Sequence, residues 1–188
     1  LGTGTPSIVI KALGGGGGRG MRVVQCAADV ATAHARCSSE ALAAFGVGAV
    51  YVERFMPQAR HIEVQILGDG VDAITLGERE CSLQRRFQKL VELAPSPMLS
   101  DLRRAQLFAR ALRLARACGY RGLGTFEFLI NEAWPDHPVV FIEANARLQV
   151  EHTVTEAVLG LDLVQAQLRV AAGARLADLG LNPHQPPQ

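Results

Sequence analysis

From Glu143 to Glu151 the sequence alternates, with Glu143, Asn145, Arg147, Gln149 and Glu151 at odd positions and Ala144, Ala146, Leu148 and Val150 at even ones. Successive side chains of a strand point to opposite faces. An extended segment here therefore gathers two carboxylates, two amides and a guanidinium on one side. An edge strand with one wetted face gives the same alternation. Against that reading, the preceding run Val139 to Ile142 is apolar on both faces, and the polar side lacks the usual Lys, Thr and Ser. Carboxylates with an amide oxygen suit Mg2+, whereas Arg and Gln suit an oxyanion. Glu127 joins this set because it lies within the apolar run Thr125 to Ile130, where an ionised carboxylate needs a partner. A cation shared with Glu143 on a neighbouring strand supplies one; a buried salt bridge is the alternative. A straight strand would hold Glu143 and Glu151 roughly 26 Å apart. One site can use both only if the chain bends between Asn145 and Glu151.

A second candidate is the run Gly14-Gly15-Gly16-Gly17-Gly18-Arg19-Gly20, with Lys11 just before it. Gly15, Gly17 and Gly20 satisfy G-x-G-x-x-G, but a dinucleotide fingerprint must open a helix, and Met21 to Gln25 reads as a strand. No Gly-Lys-Ser/Thr follows, so a Walker A loop is excluded as well. What remains is a glycine loop between two strands. Its backbone N–H groups can approach an anion closely while Lys11 adds a point charge. A flexible surface loop is the alternative; the absence of Ser, Asn and Pro favours a phosphate-covering lid. Glycine content leaves Gly14 to Gly20 little intrinsic order, so the lid is expected to be mobile.

Other segments are more ambiguous. Glu80 to Lys89 packs polar and basic residues, Gln84 among them, into what reads as a short turn after a strand, and composition alone favours a solvated loop. Glu53-Arg54-Phe55-Met56 stands at a strand end and could offer backbone groups to an adenine ring, or simply link two domains. His61 could reach a ribose or be an ordinary surface histidine; His34, His137 and His184 are assigned to the surface. Cys26, Cys37, Cys81 and Cys118 are scattered, without CxxC spacing or a histidine cluster, which argues against zinc or a disulfide framework and for reduced thiols in a cytoplasmic compartment.

The elements that must position these residues read as strands at Ser7 to Ala12, Met21 to Gln25 and Ala49 to Glu53, with a helix from Asp29 to Phe45. A domain boundary is expected near Pro57, giving a glycine-loop domain at 1–56 and a larger one at 57–188. In the latter, Arg60 to Leu67 and Val71 to Leu76 flank Gly68-Asp69-Gly70 as a hairpin. Asp101 to Cys118 reads as a helix capped by Ser100 and stopped at Gly119, with Leu102, Ala105, Phe108, Ala109, Leu112 and Ala115 on its inner face. Gly124 to Asn131 and Val139 to Asn145 follow as paired strands, and Thr153 to Glu156 has capping-box spacing for a helical stretch to Ala172. Hairpins with helices between them make the class α+β. The 188 residues are 48% hydrophobic and carry a net charge of +1, which gives no reason for a nucleic-acid or membrane partner. There is no apolar run of membrane-spanning length and no signal-peptide pattern. A start at Leu1 and an end at Pro186-Pro187-Gln188 suggest a piece of something longer.

Taken together, VIKALGGGGGRGMRVV, RHIEVQILGDG, ERECSLQRRFQKLVELAPSP, YRGLGTFEFL and FIEANARLQVEHTVTE, in that order, closely resemble the ATP-grasp region of biotin carboxylases over nearly the whole chain. The resemblance implies an ATP-grasp fold with a small glycine-loop lid and a larger antiparallel-sheet subdomain, lacking an N-terminal Rossmann-like domain and a C-terminal part with a biotin-facing arginine. It implies that Lys11, Gly17 and Gly18 hold ATP phosphates and that Glu53, Arg54, Phe55 and Met56 meet the adenine. His61 and Gln84 would line the nucleotide site. Glu127, Glu143 and Asn145 would carry Mg2+ or Mn2+. Lys89, Arg147, Gln149 and the Val150 backbone would bind bicarbonate, with Glu151 as its base. The implied reaction is ATP-dependent carboxylation of biotin on a carrier protein through carboxyphosphate. The implied partners are biotin carboxyl carrier and carboxyltransferase domains or subunits, in a homo-oligomeric parent. The sequence departs from the pattern at Phe87, where the family commonly carries a polar residue near the ribose. A carbamoyl-phosphate synthase or a non-catalytic nucleotide-binding module are the alternatives; the retained Lys11, Lys89, Glu127, Glu143, Arg147 and Glu151 argue against the latter.

Overall fold

The computed structural model describes residues 7–15, 20–131, 134 and 139–182. The chain divides into two compact units, Leu1–Gln58 with Gln84–Gln88, and Ala59–Leu83 with Lys89–Gln188.

In the first unit, strands β1 (Ile8–Ala12), β2 (Met21–Val24) and β3 (Val50–Arg54) form an antiparallel sheet in the order β2-β1-β3. Helix α1 (Val30–Phe45) buries Cys37 against Ile10 and Val24. It stops at Gly46, whose φ of 74° favours glycine. The glycine-rich hairpin closes by a bond from the Ala12 N–H to the Gly20 carbonyl, 2.7 Å. Gly20 has φ +71°, and a Cβ there would meet the Ala12 Cβ at 2.7 Å, so the return into β2 requires glycine. Gly16, Gly17, Gly18 and Arg19 lie outside the described residues, and with them the expectation of a mobile lid.

The second unit is built on a five-stranded antiparallel sheet in the order β6-β5-β4-β7-β8, from β4 (Arg60–Asp69), β5 (Ala73–Arg85), β6 (Gln88–Leu93), β7 (Arg121–Ile130) and β8 (Val139–Asn145). One face carries the main apolar core: Ile62, Val64 and Ile66 of β4 and Phe126, Phe128 and Ile130 of β7 pack with Leu107, Ala111 and Ala115 of helix α2 (Asp101–Ala117), while Glu78 and Glu80 of β5 lie buried on the same side. Each fully buried aliphatic side chain there contributes about 1.5–3 kcal/mol. The opposite face is divided. At one end Leu67, Ile74, Leu76 and Leu123 pack with Leu163 and Val170 of helix α4 (Leu163–Ala171). At the other end the same face carries Glu63, Gln65, Arg79, Thr125 and Glu127, all buried. The antiparallel, hairpin-built α+β class is the expected one.

Four local expectations are corrected. The segment Glu80 to Lys89 is not a short turn: β5 runs on to Arg85, only Arg86 and Phe87 turn, with φ of 52° and 64°, and Lys89 lies on β6. Two positive-φ residues match the tight hairpin turn that Asn-Gly usually signals, and neither residue type announces it. The inner face of α2 is Leu107, Ala111 and Ala115 with Phe108 and Leu112, while Leu102 is exposed and Ala105 and Ala109 face outward. The helix is turned so that Arg104 can reach the buried Glu78 at 2.8 Å and the carbonyls of Ser96 and Leu99. Thr153 does not cap a helix. Helix α3 (His152–Leu159) opens at Glu151, and Glu156 instead accepts from the Leu163 N–H across the break at Gly160. Finally, the strand ends at Asn145, so the alternation stops governing the side chains there: Gln149 is buried and Val150 is 89% exposed. Among the described residues no helix is long and apolar enough to cross a membrane.

Candidate functional site

Strand register assembles the charged half-face. Glu63 pairs with Arg79 on β5 and with Glu127 on β7; Glu127 pairs with Glu143 on β8; Gln65 pairs with Thr125, and Thr125 with Asn145. Alternation then places these side chains on one surface of the sheet. Lys89 enters from β6 and donates to Glu63, to Glu127 Oε1 at 3.1 Å and to Glu151 Oε1 at 2.9 Å. The three donors of an ammonium diverge, so one lysine can serve three carboxylates that approach from different directions.

Glu151 reaches this cluster because the chain leaves β8 after Asn145 and turns into α3, where Glu151 is the N-cap with φ −70° and ψ −4°. The bend needed for Glu143 and Glu151 to share a neighbourhood is present. Asn145 Nδ2 donates to Glu127 Oε1 at 2.9 Å and to Glu143 Oε1 at 3.2 Å, tying the cross-strand carboxylates together. His61 Nε2 lies 2.6 Å from Glu127 Oε2.

These contacts set the protonation states. Burial alone would raise the Glu127 carboxyl, but the His61 hydrogen bond and the Lys89 charge outweigh it and bring it down to about 2. Burial likewise opposes the charge on Lys89, yet Glu63 and Glu127 hold its ammonium above the usual lysine range. Glu151 is lowered in spite of its burial, chiefly by the Lys89 hydrogen bond. Beside them, Cys81 donates to Glu92 at 2.9 Å, and burial pushes both groups up. Glu127 and Glu151 are thereby both held in the ionised form beside the Lys89 ammonium.

Glu127 and Glu143 stand directly opposite each other, with Asn145 beside them. Two carboxylates and an amide are hard oxygen donors, a set that fits Mg2+ or Mn2+. A second grouping, Glu63, Cys81 and Glu92, brings three ligand atoms within 4.8 Å of one another. Glu63 is already committed there to Arg79 and Lys89, and a thiol suits a hard cation poorly.

The remaining sequence candidates are distributed as follows. Lys11 and Glu53 meet in the first unit, Nζ to Oε2 2.6 Å, diagonal neighbours on β1 and β3. In the same unit Arg54 is exposed, the Phe55 N–H donates to the Ser7 carbonyl and Met56 is buried. Gln84 is half-buried on β5, and Gly17 and Gly18 lie outside the described residues. Arg147 is exposed on the bend and donates to the Leu148 carbonyl, whereas Gln149 buries a side-chain oxygen that no donor meets. His61 is no surface residue. Sequence reasoning missed Glu63, Arg79 and Thr155. Glu63 in Ile62-Glu63-Val64 satisfied the criterion that singled out Glu127, a charge inside an apolar strand, and Arg79 lies opposite it. The hydrogen bond from Arg79 Nη1 to Thr155, at 2.7 Å, had no sequence signal.

A family model described as carbamoyl-phosphate synthase L chain, ATP binding domain, matches residues 3–179. Pyruvate carboxylase 1 of Caenorhabditis elegans is 54% identical over 180 residues, covering 95% of this chain and 15% of that one. The mitochondrial pyruvate carboxylase of Homo sapiens is 52% identical over 175 residues, covering 93% and 15%. Among solved structures, a biotin carboxylase from Campylobacter jejuni in a complex with a βγ-ATP ligand superposes with a TM-score of 0.87 at 46% identity, over 92% of this chain and 38% of that one. The biotin carboxylase domain dimer of Hydrogenobacter thermophilus 2-oxoglutarate carboxylase, with MgADP and bicarbonate, gives 0.85 at 43% identity, over 92% and 38%. The chain thus spans 15% of the length of the pyruvate carboxylases it matches.

Proposed function

The chain belongs to the family of carbamoyl-phosphate synthase L chain ATP-binding domains and has the ATP-grasp fold, and from that premise we propose that it is the ATP-binding part of a biotin carboxylase. On this reading the activity is carboxylation of carrier-bound biotin with bicarbonate and ATP. The observation that carries it is Lys89, a single cation joining Glu151, the candidate base, to Glu127, a candidate metal ligand.

In the proposed reaction, Glu151 takes the proton of bicarbonate, and an anion oxygen attacks the γ-phosphoryl group of ATP as its bond to ADP breaks. Carboxyphosphate then yields CO2 and phosphate; the phosphate accepts the proton of biotin, and biotin captures the CO2. Lys89 and Arg147 hold the anion. The Gln149 side chain and the Val150 backbone are assigned to the same anion, and the one O–H of bicarbonate is left to Glu151. Glu127, Glu143 and Asn145 would hold Mg2+ or Mn2+, which supplies charge neutralisation on the transferred phosphoryl group when bound. From the first unit (proposed as the lid subdomain, residues 1–56, beside a main subdomain 57–188) Lys11, Gly17 and Gly18 are assigned to the phosphates and Glu53 to Met56 to the adenine; His61 and Gln84 are assigned to the nucleotide.

The proposed partners are the carrier and carboxyltransferase domains or subunits of a homo-oligomeric carboxylase. The proposed compartment is cytoplasmic, although one of the relatives is mitochondrial by name. The deciding experiment is ATP hydrolysis by the full-length protein, which should depend on bicarbonate and rise with free biotin. Hydrolysis indifferent to biotin but consumed in carbamoyl-phosphate formation would replace this reading with the carbamoyl-phosphate synthase one. Glu143→Gln should raise the Mg2+ requirement tenfold or more, since loss of even an outer partner of a metal costs about that much; an unchanged requirement removes Glu143 from the metal site.

A further inference from the structure

Arg79 is fully buried, and its guanidinium spends its donors on three other elements of the second unit. Nε donates to Glu63 Oε1 at 2.5 Å, Nη1 to Gln65 Oε1 at 2.9 Å and to Thr155 Oγ1 at 2.7 Å, and Nη2 to Thr125 Oγ1 at 3.4 Å. Glu63 and Gln65 belong to β4, Thr125 to β7 and Thr155 to the first turn of α3. A charge with no solvent exposure is tolerated only when it is paired and its hydrogen bonds are satisfied. Here Glu63 supplies the counter-charge, with one oxygen on Arg79 and the other on Lys89.

The contacts form a closed ring. Arg79 holds Glu63, and Glu63 holds Lys89; Lys89 holds Glu151, the N-cap of α3; one helical turn later Thr155 returns to Arg79. Two separate arms therefore leave the guanidinium and meet at the Lys89–Glu151 pair, one through a carboxylate and one through a helix. We infer that Arg79 is a positioning residue, which fixes Lys89 through Glu63 and fixes Glu151 by pinning α3 to the sheet through Thr155. This inference deepens the biotin carboxylase reading and rests on it for its kinetic consequence. Arg79 sets the geometry in which the base and the anion-binding cation face the same bicarbonate. A guanidinium suits the task, because its five donors can meet all four acceptors on β4, β7 and α3, one more than the three donors of an ammonium could serve. The charge of Arg79 also contributes to keeping Glu151 ionised.

The test uses the full-length protein with Thr155→Val, which removes the hydroxyl at constant shape, Thr155→Ser, which keeps it, and Arg79→Lys, which keeps the charge without the fork. Thr155→Val and Arg79→Lys should lower kcat/KM for bicarbonate by about tenfold, the scale of a lost hydrogen bond to a buried charge. KM for MgATP should stay within about twofold, and Thr155→Ser should restore the bicarbonate value. Wild-type bicarbonate kinetics in Thr155→Val would overturn the inference. So would equal losses for MgATP and bicarbonate, or a Thr155→Ser variant as impaired as Thr155→Val, because either outcome marks a merely structural role. A second measurement does not depend on the reaction: acetic anhydride labelling of Lys89, read by mass spectrometry against Lys11, should accelerate in Thr155→Val and Arg79→Lys. An unchanged ratio overturns the inference as well. If the wild type shows no biotin-stimulated hydrolysis, the functional reading falls, while the labelling ratio still decides whether Arg79 positions Lys89.

Discussion

Of the nineteen Lys and Arg residues in the chain only two, Lys11 and Lys89, are lysine, and each unit holds one of them. Lys11 makes one ion pair, with Glu53, on a three-stranded sheet over a small core; the two side chains are 16% and 34% exposed. Lys89 is shared among Glu63, Glu127 and Glu151, and Glu63 is itself held by Arg79. A partly exposed pair is worth little and exchanges partners easily, so Lys11 can be drawn to an anionic ligand at small cost. The Lys89 array is set before any ligand arrives, which is the condition under which charge stabilises a transition state without reorganisation. One lysine is adaptable and the other is fixed.

The sharpest way to break this contrast is to remove Glu151, the proposed base, which Lys89 contacts. Glu151→Gln in the full-length protein should reduce bicarbonate-dependent ATP hydrolysis at least a hundredfold, the usual scale for a general base, while nucleotide affinity stays near wild type by equilibrium binding. Loss of nucleotide binding would make Glu151 structural instead.

Lys89 itself should matter for stability as well as rate. Lys89→Gln leaves three carboxylates facing one another without their cation, two of them almost fully buried, and should cost about 3 kcal/mol in denaturant unfolding. Lys89→Arg restores the charge but not three divergent donors, so it should recover part of the stability and little of the activity. Full activity in Lys89→Arg would show that only the charge counts.

How far this arrangement could be read from sequence varies with the kind of signal. Strand existence, the Ser100 cap and the pairing of Glu127 with Glu143 were legible, because each depends on residues close together or on period-two alternation. The β5–β6 hairpin was not, since Arg86 and Phe87 adopt positive φ without the residue types that advertise it. The face of α2 was misread because counting apolar residues ignores that Arg104 must meet a buried carboxylate. Beyond Asn145 the alternation continued in the letters while the backbone left the strand, so Gln149 and Val150 exchanged the burial that the pattern assigned them. Glu63 and Arg79, distant in the chain, went unremarked, because only register across β4 and β5 makes them a pair.

A smaller effect concerns acid. The Glu80 carboxyl is buried, which opposes its charge, but bonds from Ser96, Arg60 and Ser82 hold it below the ordinary glutamate range. A carboxyl lowered by folding contributes stability that is present above the unfolded value of about 4.3 and is lost as pH falls through the folded one. Unfolding followed by fluorescence of Trp134, the chain's only tryptophan and part of the second unit, should therefore show stability falling as pH drops below about 4.3. Glu80→Gln should flatten that fall, and an identical pH profile in the variant would remove Glu80 as a contributor.

The least disruptive change should be at the adaptable lysine. The Lys11–Glu53 pair joins diagonal positions on β1 and β3 and is open to solvent on the glutamate side. A pair of that kind contributes about 0.2–1 kcal/mol, part of it lost to screening by salt. Lys11→Gln should therefore move the unfolding free energy by no more than about 1 kcal/mol, less at high ionic strength. Its effect should appear in ligand affinity instead, as a weaker KM for MgATP with the bicarbonate KM unchanged. The two readouts separate the possibilities cleanly. A stability loss as large as that of Lys89→Gln would mean that Lys11 is held as firmly as Lys89, and the contrast between the units would fail. A small stability change with unaltered nucleotide affinity would leave the contrast standing but remove Lys11 from the phosphates.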